Sequence, residues 1–237
     1  MSTMADVLDQ LTVVGELYET LNDGSVRCYA CGHRCLIREG KRGICQVRFN
    51  RGGKLYVPWG YVAALQVDPI EKKPFFHVLP GSDALTFGML GCDFHCSYCQ
   101  NYLTSQAMRD PASDVALSLV RRTSPDQLVE LAQRSGASVI ASSYNEPLIT
   151  SEWAVSIFRQ AQRAGLKCVY VSNGNATPEV LDYLRPYLVG YKVDLKTMQD
   201  RQYRKLGGVL DHVLDSIRRA HELGLWVEVV TLVVPGF

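Results

Sequence analysis

Residues 84–101 read ALTFGMLGCDFHCSYCQN and decide the class of fold that we predict for this chain. Positions 84–90 are apolar, as expected of a short strand that is buried on both faces. Three cysteines follow in a single loop, at Cys92, Cys96 and Cys99. Parallel α/β folds build their active sites at the carboxyl ends of their strands. A cysteine loop in this position therefore predicts a catalytic metal site, because one such loop can wrap an iron–sulfur cubane.

Strand and helix patterns alternate along the rest of the chain. Buried strands are predicted at residues 138–143, 167–172, 191–195 and 226–234. Capping residues such as Ser124-Pro125-Asp126-Gln127 and Thr177-Pro178 mark helix starts between them, and glycines mark helix ends. Repeated strand–helix–strand units predict an α/β fold with a parallel sheet, a partial barrel of the (β/α)6 type over residues 81–237. The sequence stops just past the fifth strand, so we expect a barrel that is truncated there.

The first 80 residues have a different character and are predicted to form a small cysteine-rich module. They contain four closely spaced thiols, at Cys28, Cys31, Cys35 and Cys45. Four thiols suffice for a closed metal site, and His33 is a substitute ligand. Structural zinc and an auxiliary iron–sulfur cluster both fit as this second metal. The alternative is a set of reduced cysteines packed in a small core, although such a segment has little apolar mass with which to fold alone.

Composition favours an ordinary globular protein of the cytoplasm. The 237 residues carry a formal net charge of +1 and are 47% apolar. The near-neutral balance argues against a nucleic-acid or membrane-surface partner, and neither a signal pattern nor a long apolar run is present. Seven of the eight cysteines lie in the two clusters. In a reducing compartment such clustering favours metal ligation over disulfides.

The spacing Cys-x3-Cys-x2-Cys, with Tyr98 before the last cysteine, resembles the signature of radical S-adenosylmethionine (SAM) enzymes. The resemblance implies that the three thiolates hold a [4Fe–4S] cluster with one iron open to SAM, and that Tyr98 lies against the adenine. It also implies a donor such as flavodoxin or ferredoxin, whose electron allows SAM to be cleaved to a 5′-deoxyadenosyl radical. The residues by themselves leave open a zinc knuckle or buried free thiols.

Three further motifs follow the next predicted strands and resemble elements of the same family. Ser143-Tyr144-Asn145-Glu146-Pro147 is similar to the family's Gly-Gly-Glu-Pro, and the two others resemble motifs of pyruvate formate-lyase activase-like members. The resemblance implies contacts with the ammonium, carboxylate and ribose of SAM by Asn145, Glu146, Ser172, Asn173, Asp194 and Lys196. Each motif alone is ordinary turn or surface chemistry, whereas four motifs in order at successive strand ends favour one SAM site.

Residues 68–75, DPIEKKPF, together with the amino-terminal cysteines, resemble one subgroup, the AmmeMemoRadiSam system radical SAM enzymes. That resemblance implies association with Memo-like and AMMECR-like proteins and no settled substrate. We expect Glu71, Lys72 and Lys73 either at the mouth of the barrel or in a charged surface turn.

The sequence therefore predicts a radical SAM enzyme whose substrate is unassigned and whose only identifiable catalytic centre is the cluster. Within catalysis, the alternative is an activase of glycyl-radical enzymes, which abstracts hydrogen from a glycine of a partner. An alternative of another class is a non-catalytic zinc or iron–sulfur assembly protein.

Overall fold

Short antiparallel strands make up the amino-terminal part of the protein. A computed structural model describes the structure over residues 3–110 and 114–236. The first elements are the helix α1 (Met4–Asp9) and the strands β1 (Thr12–Val14), β2 (Tyr18–Thr20), β3 (Val26–Cys28), β4 (Leu36–Ile37), β5 (Phe49–Arg51), β6 (Lys54–Pro58) and β7 (Tyr61–Val62). Two three-stranded antiparallel sheets result, with strand orders β1-β6-β5 and β2-β3-β4.

A six-stranded sheet forms the centre of the protein. The remaining strands are β8 (Ala64–Pro69), β9 (Asp83–Gly88), β10 (Arg121–Arg122), β11 (Val139–Ser142), β12 (Lys167–Ser172), β13 (Gly190–Asp194) and β14 (Trp226–Val230). The order across the sheet is β14-β13-β12-β11-β9-β8, and β10 pairs with β7 instead. Neighbours from β9 to β14 are parallel, whereas β8 runs antiparallel to β9. Among the described residues the two outer strands do not pair, so the sheet is open.

Amphipathic helices connect the parallel strands. They are α2 (Tyr102–Ser105), α3 (Asp114–Ser118), α4 (Pro125–Arg134), α5 (Ser151–Arg163), α6 (Pro178–Leu184), α7 (Asp200–Lys205) and α8 (Leu210–Glu222). The predicted capping box is present at the start of α4, where Ser124 and Gln127 bond each other's backbone N–H. The apolar side of α5 buries Trp153, Ile157 and Phe158. Each such side chain stabilises the fold by about 1.5–3 kcal/mol relative to exposure.

The predicted parallel strands are all present, with small shifts at their ends. The strand expected at 84–90 ends at Gly88, and the one expected at 226–234 ends at Val230. The boundary at residue 80 stays a prediction, and Ala64–Pro69, which lies in the range of the predicted module, forms an edge strand of the central sheet. Apolar and polar residues alternate over Leu65-Gln66-Val67-Asp68, a short strand pattern that the prediction did not use, and the strand's residues are exposed or half-buried on both faces.

The helices of the described chain are too short to cross a bilayer. The longest, α5 and α8, have 13 residues each, whereas a span requires about 20. No described helix combines the necessary length and apolar character.

Candidate active site

A cavity of about 340 Å³ lies over one face of the central sheet and reaches the carboxyl ends of its parallel strands. The three cysteines of the 92–99 loop line this cavity. So do all the other residues predicted to bind SAM, namely Tyr98, Asn145, Glu146, Ser172, Asn173, Asp194 and Lys196. The volume is within the range of about 300–1,000 Å³ that is typical of pockets for small ligands. The fold therefore brings the predicted site residues to one place.

The cysteine loop leaves β9 through a glycine that no other residue could replace without strain. Gly91 has a φ of +98°, and a Cβ atom there would lie 2.8 Å from the Val47 side chain and 3.1 Å from the Cys45 carbonyl oxygen. The loop can thus pack directly against the amino-terminal part of the chain. Cys92 and Cys99 are half-buried, and the Cys99 thiol lies 3.2 Å from the Ser105 hydroxyl oxygen.

Arg109 is a support of this loop that the sequence did not indicate. Its guanidinium donates to the carbonyl oxygens of Cys92 at 2.9 Å and Phe94 at 2.9 Å. The same group donates to the Ile44 carbonyl oxygen at 2.8 Å. One side chain therefore joins the two cysteine-containing segments, because Ile44 precedes Cys45.

Burial disfavours the thiolate form of two cysteines of the loop. Burial raises the pKa of Cys92 well above its ordinary value. Burial also raises the pKa of Cys96 to about 11, although the nearby Lys196 ammonium opposes this shift. A metal centre in the cavity would reverse the preference, because metal ligation stabilises the thiolate form.

Glu146 is the most enclosed carboxylate of the cavity and is 2% exposed. Its Oε1 accepts hydrogen bonds from the Ser172 hydroxyl at 2.7 Å and the Leu148 N–H at 3.1 Å. Its Oε2 accepts one from the Asn173 N–H at 2.7 Å. A carboxylate offers about four acceptor positions, so one position on Oε2 remains for a ligand. Burial, followed by the nearby Asp93 carboxylate, raises the pKa of Glu146.

Asp93, between two of the loop cysteines, is a residue of the candidate site that the sequence reasoning missed. It is fully buried and accepts hydrogen bonds from the side-chain amides of Asn173 at 2.7 Å and Asn175 at 2.8 Å. The Asn175 carbonyl in turn accepts the Gly32 N–H at 2.7 Å, in the amino-terminal cysteine segment. Asp93 therefore ties the end of β12 to the cysteine loop and, through Asn175, to the amino-terminal part.

Asn145 has a structural role in addition to its predicted contact with SAM. Its Oδ1 accepts the Met89 N–H at 2.9 Å, and its Nδ2 donates to the Glu146 carbonyl oxygen at 3.1 Å. The side chain thus holds the end of β9 against the turn after β11. A glycine at this position could not make these bonds, which explains why asparagine is suited to it.

Two lysines share one carboxylate at the end of β13. Lys192 and Lys196 both contact Asp194, the latter at 3.2 Å. Lys192 is 3% exposed, and burial, then the neighbouring Lys196, lowers its pKa to about 8. The sequence could have revealed Lys192, since it stands two residues before Asp194 on the same strand and therefore on the same face.

The amino-terminal cysteines interact electrostatically, since Cys28, Cys35 and Cys45 each raise the pKa of Cys31. Cys28, Cys31 and Cys45 are buried, whereas Cys35 is half-buried and accepts the Ile44 N–H at 3.4 Å. Burial, then the Asp93 carboxylate, raises the pKa of Cys31 well above its ordinary value.

A buried ion pair anchors the amino-terminal cysteine segment to the central fold. Arg48, at 1% exposure, contacts Glu152 of α5 and donates to the Ile149 carbonyl oxygen at 2.8 Å. Its guanidinium also lies 3.5 Å from the Cys28 thiol.

The sequence model of the Radical SAM superfamily matches residues 87–237, more than half of the chain. The protein therefore belongs to the radical SAM superfamily. Its sequence is 36% identical over 221 residues to the uncharacterized protein MJ0808 of Methanocaldococcus jannaschii, which covers 93% of this chain and 64% of that protein. The chain thus spans less than two thirds of that relative. The crystal structure of QueE from Escherichia coli aligns with a TM-score of 0.37 and 13% identity, over 73% of this chain and 94% of that chain.

This superfamily uses a [4Fe–4S] cluster and SAM as cofactors, and the cavity residues fit both. Within residues 3–110 and 114–236, no three His, Cys, Asp or Glu side chains converge as ligands of a single ion would. A cubane does not require such convergence, because each thiolate binds a different iron, whereas a single zinc ion at the amino-terminal cysteines would require it. The remaining acceptor position of Glu146 suits the SAM ammonium, and Lys196 suits its carboxylate.

Proposed function

We propose that this protein is an enzyme that reductively cleaves SAM at a [4Fe–4S] cluster held by Cys92, Cys96 and Cys99. The cluster and SAM together supply a 5′-deoxyadenosyl radical, which abstracts a hydrogen atom from a substrate. The observation that carries this proposal is that one cavity is lined by the three thiols and by every predicted SAM-binding residue.

The chain's own residues orient SAM in this proposal. Glu146 accepts a hydrogen bond from the ammonium of SAM at its remaining acceptor position, and this contact favours the ionised form of its carboxyl. Lys196 pairs with the carboxylate of SAM. Its ammonium lies near the cysteine loop, since it acts electrostatically to lower the pKa of the Cys96 thiol. Asp194 accepts from ribose hydroxyls, and Tyr98 lies against the adenine.

Asn173 and Ser172 act mainly by holding the Glu146 carboxylate in place. The side chain of Asn173 is bonded on both sides, to Asp93 and to the Asn175 N–H at 2.9 Å. The hydroxyl of Ser172 donates to Glu146 and accepts the Gly174 N–H at 3.0 Å. These contacts fix the Glu146 carboxylate before SAM binds, which lowers the entropy that SAM binding would otherwise cost.

The finer assignments remain proposals that rest on sequence motifs. Ser172-Asn173-Gly174 and Asp194-Leu195-Lys196 support an activase-like member, for which the hydrogen donor is a glycine of a partner. The resemblance of residues 68–75 and of the amino-terminal cysteines supports the AmmeMemoRadiSam subgroup, with Memo-like and AMMECR-like partners and a cytoplasmic location. A flavodoxin or ferredoxin is the proposed electron donor.

Anaerobic reconstitution with iron and sulfide tests the central proposal. We expect an electron paramagnetic resonance signal of the reduced cluster that changes when SAM is added, and formation of 5′-deoxyadenosine. Replacement of Cys92, Cys96 or Cys99 by alanine should abolish the signal and the product. Cys168→Ala is the matched control, because this thiol is packed inside β12 and should leave the cluster intact. Product formation that survives in any of the three loop variants would refute the ligand assignment.

The same experiment separates the alternative classes. A folded protein that binds zinc in the loop, or binds iron without any change on adding SAM, is a non-catalytic assembly protein. If 5′-deoxyadenosine forms, incubation with glycine-containing peptides of a candidate partner and detection of a glycyl radical decides on the activase function.

A further inference from the structure

A segment between β8 and β9 closes the cavity at the end opposite to the cysteine loop. Phe75 in this segment belongs to the same buried apolar cluster as Ala84 and Val139, which lie at the amino-terminal starts of β9 and β11. The cysteine loop instead follows the carboxyl end of β9, which is a strand of six residues. At about 3.3 Å per residue, the two ends of β9 lie roughly 16 Å apart. The cavity lining nevertheless includes Lys72, Lys73 and Pro74 together with the three cysteines, so it extends between these two ends.

Lys73 is buried at the far end of this cavity. The residue is 6% exposed, and its ammonium donates to the Asp68 carboxylate at 3.0 Å and the Tyr144 hydroxyl at 3.0 Å. The ammonium also lies 4.9 Å from the centre of the Tyr144 ring. An ammonium has three N–H groups, and the contacts within the described residues use two of them. A lysine in this position is not part of a surface turn.

The backbone of Tyr144 is strained, which indicates that the surrounding structure holds its side chain in one position. Its φ is +69°, in the left-handed region that bulky residues rarely occupy. Strain of this kind persists where the surroundings dictate it, and it clusters at ligand sites. Tyr144 lies two residues before Glu146, so it adjoins the SAM-binding turn through its backbone and Lys73 through its hydroxyl.

The lysines of the cavity form two pairs, and each pair shares one carboxylate. Lys72, Lys73, Lys192 and Lys196 line the cavity. Asp68 is shared by the first two lysines, and Asp194 by the last two. With Glu146 and the adjacent Asp93 carboxylate, the lysines and the carboxylates are equal in number, so Lys73 is distinguished by its burial and its remaining N–H group and not by a surplus of charge.

The cysteine end of the cavity is assigned to the cluster and SAM, and Lys196 with Glu146 accounts for the charged groups of SAM. The far end has a buried cation that no part of SAM requires. We propose that Lys73, with Tyr144 and Lys72, forms the subsite for an anionic group of the substrate, either a carboxylate or a phosphate. The identity of the bound molecule as substrate rests on the proposed function, whereas anion binding at Lys73 does not.

Titration of the reconstituted full chain with anions tests this subsite. Sodium phosphate and sodium succinate are added separately in an isothermal calorimeter, first without and then with SAM, at an ionic strength held constant with sodium chloride. We expect at least one of the two anions to bind. In Lys73→Gln, binding should weaken roughly ten- to a hundredfold, the usual loss for one charge-assisted hydrogen bond. The SAM affinity of this variant should be unchanged.

Two control variants and a check of folding accompany this titration. Lys205→Gln removes an exposed lysine of α7 and should bind the anion as the parent does. Lys73→Arg retains the charge and should retain most of the affinity, and circular dichroism checks that each variant is folded. Asp68 keeps Lys72 as a partner in Lys73→Gln, at 2.9 Å, so this variant does not leave an unpaired carboxylate. Binding of phosphate alone or of succinate alone identifies which anionic group the substrate carries.

Three results would overturn the proposal. One is that neither anion binds the parent protein above the chloride background, and another is that Lys73→Gln binds the anion as tightly as the parent does. The third is that Lys73→Gln loses SAM affinity by the same factor, which would place Lys73 in the SAM site. A protein that binds the anion without cleaving SAM would instead count against the proposed function alone.

Discussion

The buried pair of Arg48 and Glu152 allows a quantitative test of how firmly the amino-terminal part belongs to the fold. The two side chains are 1% and 2% exposed, and Glu152 lies in α5 of the central fold. Arg48→Met keeps the apolar volume but leaves the Glu152 carboxylate with only the N–H groups of Glu16 and Leu17, both at 3.3 Å. An uncompensated buried charge costs about 3–5 kcal/mol. The Ile149 carbonyl, which loses its donor, adds about 1 kcal/mol.

We therefore expect Arg48→Met to lower the free energy of unfolding by about 4 kcal/mol or more, a large part of the 5–15 kcal/mol that is typical of folded proteins. The measurement is guanidinium unfolding under anaerobic, reducing conditions, followed by circular dichroism. The double variant Arg48→Met/Glu152→Met removes both charges and should recover about 2 kcal/mol relative to the sum of the single variants. If Arg48→Met does not fold, Glu152→Gln tests the same pair from the other side; it leaves the Arg48 guanidinium without its counter-charge, and we expect a loss of about 3 kcal/mol because the amide oxygen still accepts a hydrogen bond.

An exposed ion pair of the same chain serves as the control. Arg134 and Glu130 are an i,i+4 pair on α4 with side chains 74% and 56% exposed. Arg134→Met should change the free energy of unfolding by about 0.5 kcal/mol or less. A loss below about 1 kcal/mol in Arg48→Met, or a double-variant cycle without coupling, would refute the view that this pair joins the two parts of the protein.

Three further predictions concern the cavity and the second cysteine group. Alanine at any of the SAM-binding residues should weaken SAM binding roughly ten- to a hundredfold while the iron content stays unchanged; the variants are those of Glu146, Asn173, Asp194 and Lys196. A protein with alanine at Cys92, Cys96 and Cys99 should retain a metal bound by the amino-terminal cysteines, and elemental analysis distinguishes zinc from iron with sulfide. The folded state raises the pKa of Glu146 from 4.5 to about 8, so it binds the proton more tightly than the unfolded chain does. The free energy of unfolding of the cofactor-free protein should therefore fall as the pH rises through this interval, and Glu146→Gln should lack the fall.

Each of these expectations has a contrary outcome. If all four alanine variants bind SAM as tightly as the parent does, the residues at the strand ends do not bind SAM. A metal-free amino-terminal part that is folded and resists proteases would show that those cysteines are ordinary core residues. A stability that rises between pH 4.5 and 8 in the parent and in Glu146→Gln alike would mean that another group dominates the titration.

The parallel sheet could be predicted from the sequence because residues near the helix ends mark where the connecting helices begin and end. The capping box at Ser124 and Gln127 and the glycines after α5 and α8 specify where helices begin and end, and buried strands stand between them. The edge strand β8 was missed although apolar and polar residues alternate over Leu65-Gln66-Val67-Asp68, because this run is only four residues long and no α-helix separates it from β9. Strand ends were shifted by up to four residues, since burial alone does not specify where a strand stops.

The residues of the candidate site could likewise be predicted only in part. Cysteine spacing and strand-end position identified residues that the fold brings to one cavity. The roles of Arg109 and Asp93 depend on contacts with residues far away in sequence, so no local pattern announces them. Lys73 stood in a noted motif, but its burial depends on Tyr144, which is 71 positions away.

The antiparallel strand β8 has a consequence for any attempt to dissect the protein. A shortened chain that begins at the apparent junction near residue 80 would lose β8 and strip β9 of its six-residue pairing. It would expose a row of unpaired backbone groups beside the cysteine loop and invite the fragments to associate edge to edge. It would also remove Lys72 and Lys73 from the cavity wall. Any version of the central fold intended to stand alone therefore has to begin before Ala64, and aggregation of a version that starts at residue 81 would reflect where it was cut.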